Sequence, residues 1–277
     1  MSATVDPSHA SYKVSRPGST HSFMIANKLE GYDIATLITR KRPNSRDIMV
    51  CMHGSCANKD WSVPRLVADS IDYNTCRFDF GGNGKSGGEW RYSAFEREFN
   101  DTRTVVRYLQ EKGWNVTCLQ GHSKGVAALI RYGATYNDIP LLVNVAGRFM
   151  SGSPCETFSE EQMKELKAKG QFKHVVLEVE HIITQKDVDE RANICLVDYC
   201  QQVNSHLHSI HGDADLVVPY RDVYMFDDYV MGHTIDIIPG GSHNFSSRKQ
   251  GRQQVVDCIT EKLNEFDKKR NAGVSVF

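Results

Sequence analysis

Short, continuous apolar runs alternate with longer amphipathic stretches through most of the chain. The continuous runs are typical of strands buried on both faces, and they lie at 48–52, 74–80, 115–120 and 140–146. Between them, apolar residues recur at helical spacing, which predicts helices over 61–70, 93–112 and 126–136. Strands that alternate with helices predict an α/β fold, with a mostly parallel central sheet flanked by helices.

The two ends of the chain continue this pattern. The remaining predicted elements are a hairpin of strands at 23–29 and 33–39, strands at 207–212 and 234–238, and helices at 223–230 and 249–266. Residues 1–20 are polar, and we interpret them as a flexible N-terminal lead-in. The charged tail from Lys268 onward is expected to fray.

Residues 148–204 interrupt the alternation and are too long for a plain crossover between strands. Ser-Glu-Glu-Gln at 159–162 fits a capping box that opens a charged helix ending at Gly170. A strand-like piece (175–183) and a second helix (186–203) follow. We interpret this segment, called the cap insertion below, as a cover over the active site rather than a separate domain.

A chain of this length can form one large α/β domain or two small ones, and we place a single domain at 21–277. The chain has 277 residues, 40% of them hydrophobic, and a net charge of −1, which offers no basic field for nucleic acid. No run approaches the roughly 18 apolar residues of a membrane span, and the N-terminus lacks the apolar core of a secretory signal. None of the eight cysteines forms a C-x-x-C pair. We therefore expect no metal or other cofactor, and reduced thiols in the cytoplasm.

Candidate chemistry begins with Gly-His-Ser-Lys-Gly at 121–125, which joins a predicted strand to a predicted helix. A serine at the apex of such a turn has a strained backbone that exposes its hydroxyl at the carboxyl edge of the sheet. The flanking glycines are needed because neighbouring backbone passes close by. The turn predicts Ser123 as a nucleophile.

A serine hydroxyl needs an imidazole to take its proton and a carboxylate to orient that imidazole. Asp215 and His243 follow Ser123 in the chain order of the α/β-hydrolase triad, and each comes just after a predicted strand. Asp213 is the alternative acid, since either aspartate could be a turn residue. His211 is interpreted as structural.

An oxyanion hole requires two preorganised N–H donors. We assign them to the backbone amides of Lys124, which follows the nucleophile, and of Ser55, in the loop after the strand at 48–52. His53 is expected to pin that loop, and Cys56 lies close enough to be a secondary candidate. The Lys124 side chain is expected to lie along the helix start or in solvent, without a chemical role.

The glycine-rich loop at 79–88 could in principle cradle a phosphate. It lacks the G-x-x-x-x-G-K-[ST] spacing that this function requires. A tight turn beside the active site is the favoured interpretation.

These turns together resemble the α/β-hydrolase superfamily, over nearly all of the chain from about Phe23. The matching motifs are His-Gly-Ser at 53–55, Asp-Phe-Gly-Gly-Asn-Gly-Lys-Ser at 79–86, Gly-His-Ser-Lys-Gly at 121–125, His-Gly-Asp-Ala-Asp at 211–215 with Pro219, and Gly-Ser-His at 241–243. The chain is most similar to the serine-aminopeptidase-like and cinnamoyl (feruloyl) esterase-like branch, which also has a short cap between its sixth and seventh strands. Two residues depart from the common pattern: Val126 follows Gly125 where relatives often have glycine, and Ser55 stands where a large apolar residue is common.

The resemblance and the triad candidates together predict a serine hydrolase that cleaves carboxylic esters of small to medium acyl groups through an acyl-enzyme. The expected partner is a small-molecule ester, with no nucleic acid, and the sequence does not indicate an oligomeric state. A thioesterase, a monoacylglycerol lipase and a peptidase are alternatives on the same triad. A ligand receptor built on a hydrolase fold is an alternative of another class.

Overall fold

The computed structural model describes residues 18–150, 158–176, 178–247 and 249–274. The strands are β1 (Ser19–Asn27), β2 (Tyr32–Arg40), β3 (Asp47–Met52), β4 (Thr75–Phe78), β5 (Asn115–His122), β6 (Leu141–Val145), β7 (Gln171–Val176), β8 (Val179–Thr184), β9 (His206–Gly212) and β10 (His233–Ile238). The helices are α1 (Ser62–Ser70), α2 (Phe95–Glu111), α3 (Gly125–Tyr136), α4 (Glu160–Lys169), α5 (Gln185–Ala192), α6 (Val197–Cys200), α7 (Asp222–Asp227) and α8 (Lys249–Asn271).

Eight of the described strands form one twisted, mostly parallel sheet in the order β1-β2-β4-β3-β5-β6-β9-β10. The hairpin β1–β2 lies at one edge and pairs antiparallel with β4. From β4 to β10 every neighbouring pair is parallel. The α/β architecture predicted from the alternating pattern is confirmed, and in such a sheet the loops after the parallel strands leave from one edge.

The register aligns the carboxyl ends of the central strands. Met52 of β3 lies opposite Gly121 of β5, and His122 of β5 lies opposite Val145 of β6. Val145 in turn lies opposite Ile210 of β9. Because these ends are level, the loops that follow them emerge side by side and can share one site.

Two apolar cores hold helices against the two faces of the sheet. On one face, Phe99 and Leu109 of α2 pack with Leu129 of α3. On the other face, Leu66 of α1 packs with Ile259 of α8. Each such side chain removed from water contributes roughly 1.5–3 kcal/mol before conformational entropy is subtracted. The sheet edge is therefore built on a rigid body.

A small apolar cluster joins the described part of the cap insertion to the body. Tyr92, from the loop before α2, packs with Leu166 of α4, Phe172 of β7 and Ile183 of β8. The helix α4 begins with a capping box in which the Ser159 side chain accepts from the N–H of Gln162 and the Gln162 side chain accepts from the N–H of Ser159. The capping-box motif in the sequence predicted this helix start.

Three expectations for the ends and the insertion need correction. The strand-like piece at 175–183 is the end of a hairpin, because β7 and β8 pair antiparallel around Glu178, whose φ is 63°. The predicted helix at 186–203 is two helices, α5 and α6, with Asn193 after the first. The tail after Lys268 continues as helix to Asn271. Of the flexible lead-in expected over residues 1–20, residues 1–17 lie outside the described residues, and β1 already begins at Ser19.

The glycine-rich loop after β4 folds around a carboxylate of the chain itself. Asp79 is fully buried, and its side chain accepts from the Lys59 N–H at 2.6 Å, the Lys59 ammonium at 2.8 Å and the Lys85 N–H at 2.9 Å. A Cβ on Gly84, whose φ is 56°, would lie 2.3 Å from the Asp79 carboxylate. The loop is thus a tight turn closed on Asp79.

Candidate active site

The turn between β5 and α3 holds Ser123 in the left-handed backbone region, with φ of 53°. This conformation is strained for a residue with a side chain, and the Ser123 N–H donates to the Val145 carbonyl at 2.9 Å. A Cβ on Gly121 would lie 3.0 Å from the backbone of Gly125, and a Cβ on Gly125 would lie 2.6 Å from the His53 carbonyl oxygen. Only glycine fits at these two positions, so the sequence of the turn permits its geometry.

The loops after β9 and β10 bring Asp215 and His243 into contact. His243 Nδ1 donates to Asp215 Oδ2 at 2.8 Å. The same oxygen accepts from His211 Nε2 at 3.1 Å, while Oδ1 accepts from the N–H groups of Val217 (2.7 Å) and Val218 (2.9 Å). Burial raises the pKa of Asp215, but the hydrogen bonds from His211 and His243 outweigh it, so the net pKa lies well below the usual range. Asp215 is therefore ionised and can stabilise an imidazolium at His243.

The two residues left as alternatives take structural positions. Asp213 Oδ1 accepts from the Gly240 N–H and so ties the loop after β9 to the end of β10. His211 is fully buried, and its Nε2 is shared between Asp215 and the Val218 carbonyl, each at 3.1 Å. The structure thus places Asp215, and not Asp213, against the His243 imidazole.

Ser123 and His243 line one cavity of about 390 Å³ at the sheet edge. Since His243 Nδ1 is engaged by Asp215, Nε2 is the nitrogen available to take a proton. Among the described residues the Ser123 hydroxyl has no hydrogen-bond partner. Hydrogen bonds of catalytic groups are often long before substrate binds.

The assigned oxyanion donors lie beside this serine. A Cβ on Gly54 would lie 3.0 Å from Ser123 Cβ, so the loop that carries Ser55 packs directly against the turn. Ser55 and Lys124 both line the cavity, and neither backbone N–H donates to any described acceptor. Free amides at this position are available to a developing oxyanion.

The position of the Ser55 loop is set by His53. Its Nδ1–H donates to the Gly54 carbonyl at 2.8 Å, and its Nε2 accepts from the Phe80 N–H at 3.0 Å. Burial lowers the pKa of His53, so the ring is neutral in this role. Cys56 lines the same cavity and has a φ of 53°. The structure thus shows a pinning histidine and a nearby thiol on one loop.

The Lys124 side chain is neither along the helix start nor in solvent, as the sequence had suggested. It is buried, and its ammonium donates to Glu98 Oε1 on α2 at 2.6 Å. Burial lowers the pKa of Lys124, and the Glu98 charge opposes that shift. Glu98 is itself buried, and a buried carboxylate requires a cation. Because the two residues are 26 positions apart, the sequence does not indicate this pair.

No family model and no curated protein sequence matches the chain at a significant level. Solved structures do match it. Est1E from Butyrivibrio proteoclasticus with ferulic acid bound matches with a TM-score of 0.74 and 18% identity, over 88% of this chain and 98% of that one. The chain has the α/β-hydrolase fold.

Two further α/β-hydrolase neighbours come from distant organisms. The esterase Pf2001 of Pyrococcus furiosus matches with a TM-score of 0.67 and 16% identity, over 90% of this chain and 93% of that one. Alpha/beta hydrolase domain-containing protein 10 from mouse matches with a TM-score of 0.67 and 18% identity, over 88% and 99% of the two chains. At such low sequence identities, the structural similarity establishes the fold alone.

One residue of the candidate site was missed by the sequence analysis. His122 precedes the serine, and its Nε2–H donates to the His243 carbonyl at 3.1 Å. Burial lowers the pKa of His122 to about 3, with the neighbouring His243 adding to the effect. The ring is therefore neutral and ties the His243 loop to the turn. Only its position between Gly121 and Ser123 could have drawn attention to it.

The cap insertion supplies part of the wall of the cavity. Its contributions are Arg148, Phe158, His174, Val176 and Arg191, and the body contributes Trp61 and Val217 among others. Phe158 also packs edge-on to Phe172 in the cap cluster, with ring centroids 4.9 Å apart. Among the described residues, no helix combines the length and apolar character needed to cross a membrane.

Proposed function

We propose that this protein is a serine hydrolase that cleaves carboxylic esters of small to medium acyl groups. The observation that carries the proposal is the hydrogen-bonded Asp215–His243 pair, which shares one cavity with Ser123 on its left-handed turn. A buried, ionised carboxylate, an oriented imidazole and a serine that lines the cavity are the three parts that nucleophilic acyl transfer needs. The esterases among the structural neighbours are consistent with this chemistry.

The mechanism follows from the positions of these groups. Ser123 Oγ bonds to the acyl carbon while His243 Nε2 takes the hydroxyl proton, and the Ser55 and Lys124 amides stabilise the oxyanion. The ester C–O bond then breaks, and His243 gives its proton to the leaving alkoxide. Water, deprotonated by His243, attacks the acyl-enzyme and releases the carboxylic acid and free Ser123.

The decisive experiment is labelling with a fluorophosphonate probe alongside hydrolysis of 4-nitrophenyl butyrate. We expect Ser123→Ala to abolish both labelling and turnover. Ser55→Ala is the matched control, since it removes the hydroxyl of another serine in the same cavity but keeps the backbone amide assigned to the oxyanion hole. Labelling that persists in Ser123→Ala, or vanishes in Ser55→Ala, would reject the assignment.

The same triad serves a thioesterase, a monoacylglycerol lipase or a peptidase, and a receptor could keep the cavity without turnover. A panel of oxygen esters, thioesters and anilides of equal acyl length, with aromatic acyl groups included, separates these. Est1E binds ferulic acid, which makes an aromatic acyl group an informative member of the panel. We also propose a cytoplasmic location, which is supported by the reduced state of the seven described cysteines.

A further inference from the structure

The cavity that contains Ser123 is lined by cations. Lys124, Arg148 and Arg191 contribute to its wall, and no aspartate or glutamate is among the described lining residues. A large groove nearby, lined by α2, α5 and α6, differs because its wall mixes acidic and basic residues. The positive character is specific to the candidate active site.

The first two cations already have partners. The Lys124 ammonium is compensated by Glu98 at 2.6 Å. The Arg148 Nε–H donates to the Met150 carbonyl at 2.7 Å. Neither residue therefore demands a ligand by itself.

Arg191, near the end of α5 in the cap insertion, is different. Its guanidinium carbon lies 4.5 Å from the ring centroid of Tyr92, so the plane is held in a defined place. Its Nη1 is buried without a hydrogen-bond partner, and no described carboxylate forms an ion pair with it. Arg191 and Lys124 both line the cavity, so the guanidinium borders the same space as the nucleophile turn.

A guanidinium without a counter-charge at the wall of a cavity is unfavourable unless a ligand supplies one. A guanidinium offers a planar fork of donors that matches the oxygens of a carboxylate or phosphate. Because Arg191 lines the cavity, an anion bound there would supply the counter-charge that no described carboxylate supplies.

We propose that the ester substrate carries an oxyanion remote from the scissile bond, a carboxylate or a phosphate, and that Arg191 binds it. Arg191 is a specificity-determining residue in this scheme and takes no part in bond breaking. The inference rests on the proposed ester hydrolysis and names the charge of its substrate.

Two matched substrate pairs test the charge preference. Mono-4-nitrophenyl adipate and its methyl ester differ by one carboxylate, whereas 1-butyrylglycerol 3-phosphate and 1-butyrylglycerol differ by one phosphate. We expect one anionic member to exceed its neutral partner at least tenfold in kcat/KM, mainly through a lower KM. The pair that shows the preference identifies the source of the oxyanion.

The variant Arg191→Gln should bring the favoured ratio close to one, with the larger loss of kcat/KM falling on the anionic ester. Arg191→Lys should retain part of the preference. The control is Lys186→Gln, which makes the same charge change on the exposed surface of α5 and should leave the ratio unchanged. Added salt should weaken the preference in the wild type.

Equal rates on both pairs, a preference for the neutral esters, or an unchanged ratio in Arg191→Gln would overturn the inference. Those results leave fluorophosphonate labelling of Ser123 intact, so they differ from failure of the proposed function, in which labelling and hydrolysis are both absent. In that second case, calorimetry still tests the site, because monomethyl adipate or glycerol 3-phosphate should bind the wild type and not Arg191→Gln. If neither monomethyl adipate nor glycerol 3-phosphate binds the wild type, the inference about Arg191 is also overturned.

Discussion

The two walls of the active-site cavity are held in different ways. The wall at the sheet edge, with Ser123, Asp215 and His243, is fixed by backbone turns and hydrogen bonds at the ends of sheet strands. Another part of the wall belongs to the cap insertion, which is stabilised by the small cluster around Phe172. The difference teaches that the triad candidates and the cap side of the cavity depend on different sets of contacts in one chain.

The largest effect is expected at the triad acid. Asp215→Asn should lower kcat/KM by about a thousandfold or more, because the amide does not stabilise the imidazolium and favours the wrong tautomer of His243. Asp213→Asn is the matched control and should cost less than about tenfold, since the Asp213 side chain accepts from the Gly240 N–H and not from His243. Similar losses in the two variants would refute the assignment of Asp215.

Breaking the buried ion pair should come next. Lys124→Met leaves the Glu98 carboxylate buried and uncompensated, and we expect the free energy of unfolding to fall by about 3–5 kcal/mol. The double variant Lys124→Met with Glu98→Gln should recover much of that loss, because no buried charge remains. Urea denaturation measures both, and a single variant with wild-type stability would contradict the result.

Loosening the cap wall should affect binding more than chemistry. Phe172→Ala removes a buried ring from the cap cluster, at a cost of about 3–5 kcal/mol to that local unit. We expect a raised KM for esters and faster hydrogen exchange in β7 and β8, with fluorophosphonate labelling preserved. The control Phe226→Ala empties a buried site in the body and should lower the global midpoint of unfolding instead. Loss of labelling in Phe172→Ala would show that the two walls are not independent.

A smaller effect is expected where the nucleophile turn meets the base. His122→Leu removes the donor to the His243 carbonyl and should lower kcat/KM by about five- to tenfold, the net value of one hydrogen bond. His122→Gln retains an N–H donor and should restore part of the activity. No rescue by glutamine would argue that the ring acts only through packing.

The same residue predicts a pH effect on stability. The unfolded chain protonates His122 near pH 6.5, whereas the pKa in the folded protein is about 3. Between pH 6.5 and about pH 3 the folded state therefore binds fewer protons at His122 than the unfolded state does. The contribution of this residue to the free energy of unfolding is fully present above pH 6.5 and falls as the pH drops, by at most about 1.4 kcal/mol per pH unit. Denaturation at pH 6.5 and 4.5 should show a smaller decrease in His122→Gln than in the wild type.

The sheet edge was largely predictable because its determinants are local. Gly-His-Ser-Lys-Gly encodes its own turn, since the two glycines are the only residues that fit there. The apolar runs likewise marked the buried strands. Such features depend on neighbours within a few positions, which a sequence displays directly.

The cap insertion and the long-range pairs were not predictable in the same way. The turn between β7 and β8 places Glu178 at a positive φ where a glycine or asparagine would have been the usual signal. The break between α5 and α6 has no glycine or proline to mark it. The partner of Lys124 lies on another helix, and neither residue alone indicates the contact.

Asp79 helps to fix the loop that carries the proposed oxyanion donor Ser55, although Asp79 itself belongs to a different turn. The Gly84 loop closes on its carboxylate, and the next residue, Phe80, donates its N–H to the His53 ring that pins the Gly54 loop. The turn around Asp79 thus positions Phe80, Phe80 positions the His53 ring, and the ring positions the loop that carries the Ser55 amide. A side chain at Gly84 would displace the Asp79 carboxylate and, through it, this chain of contacts. We therefore expect a substitution at Gly84 to weaken the proposed oxyanion hole without any contact to substrate.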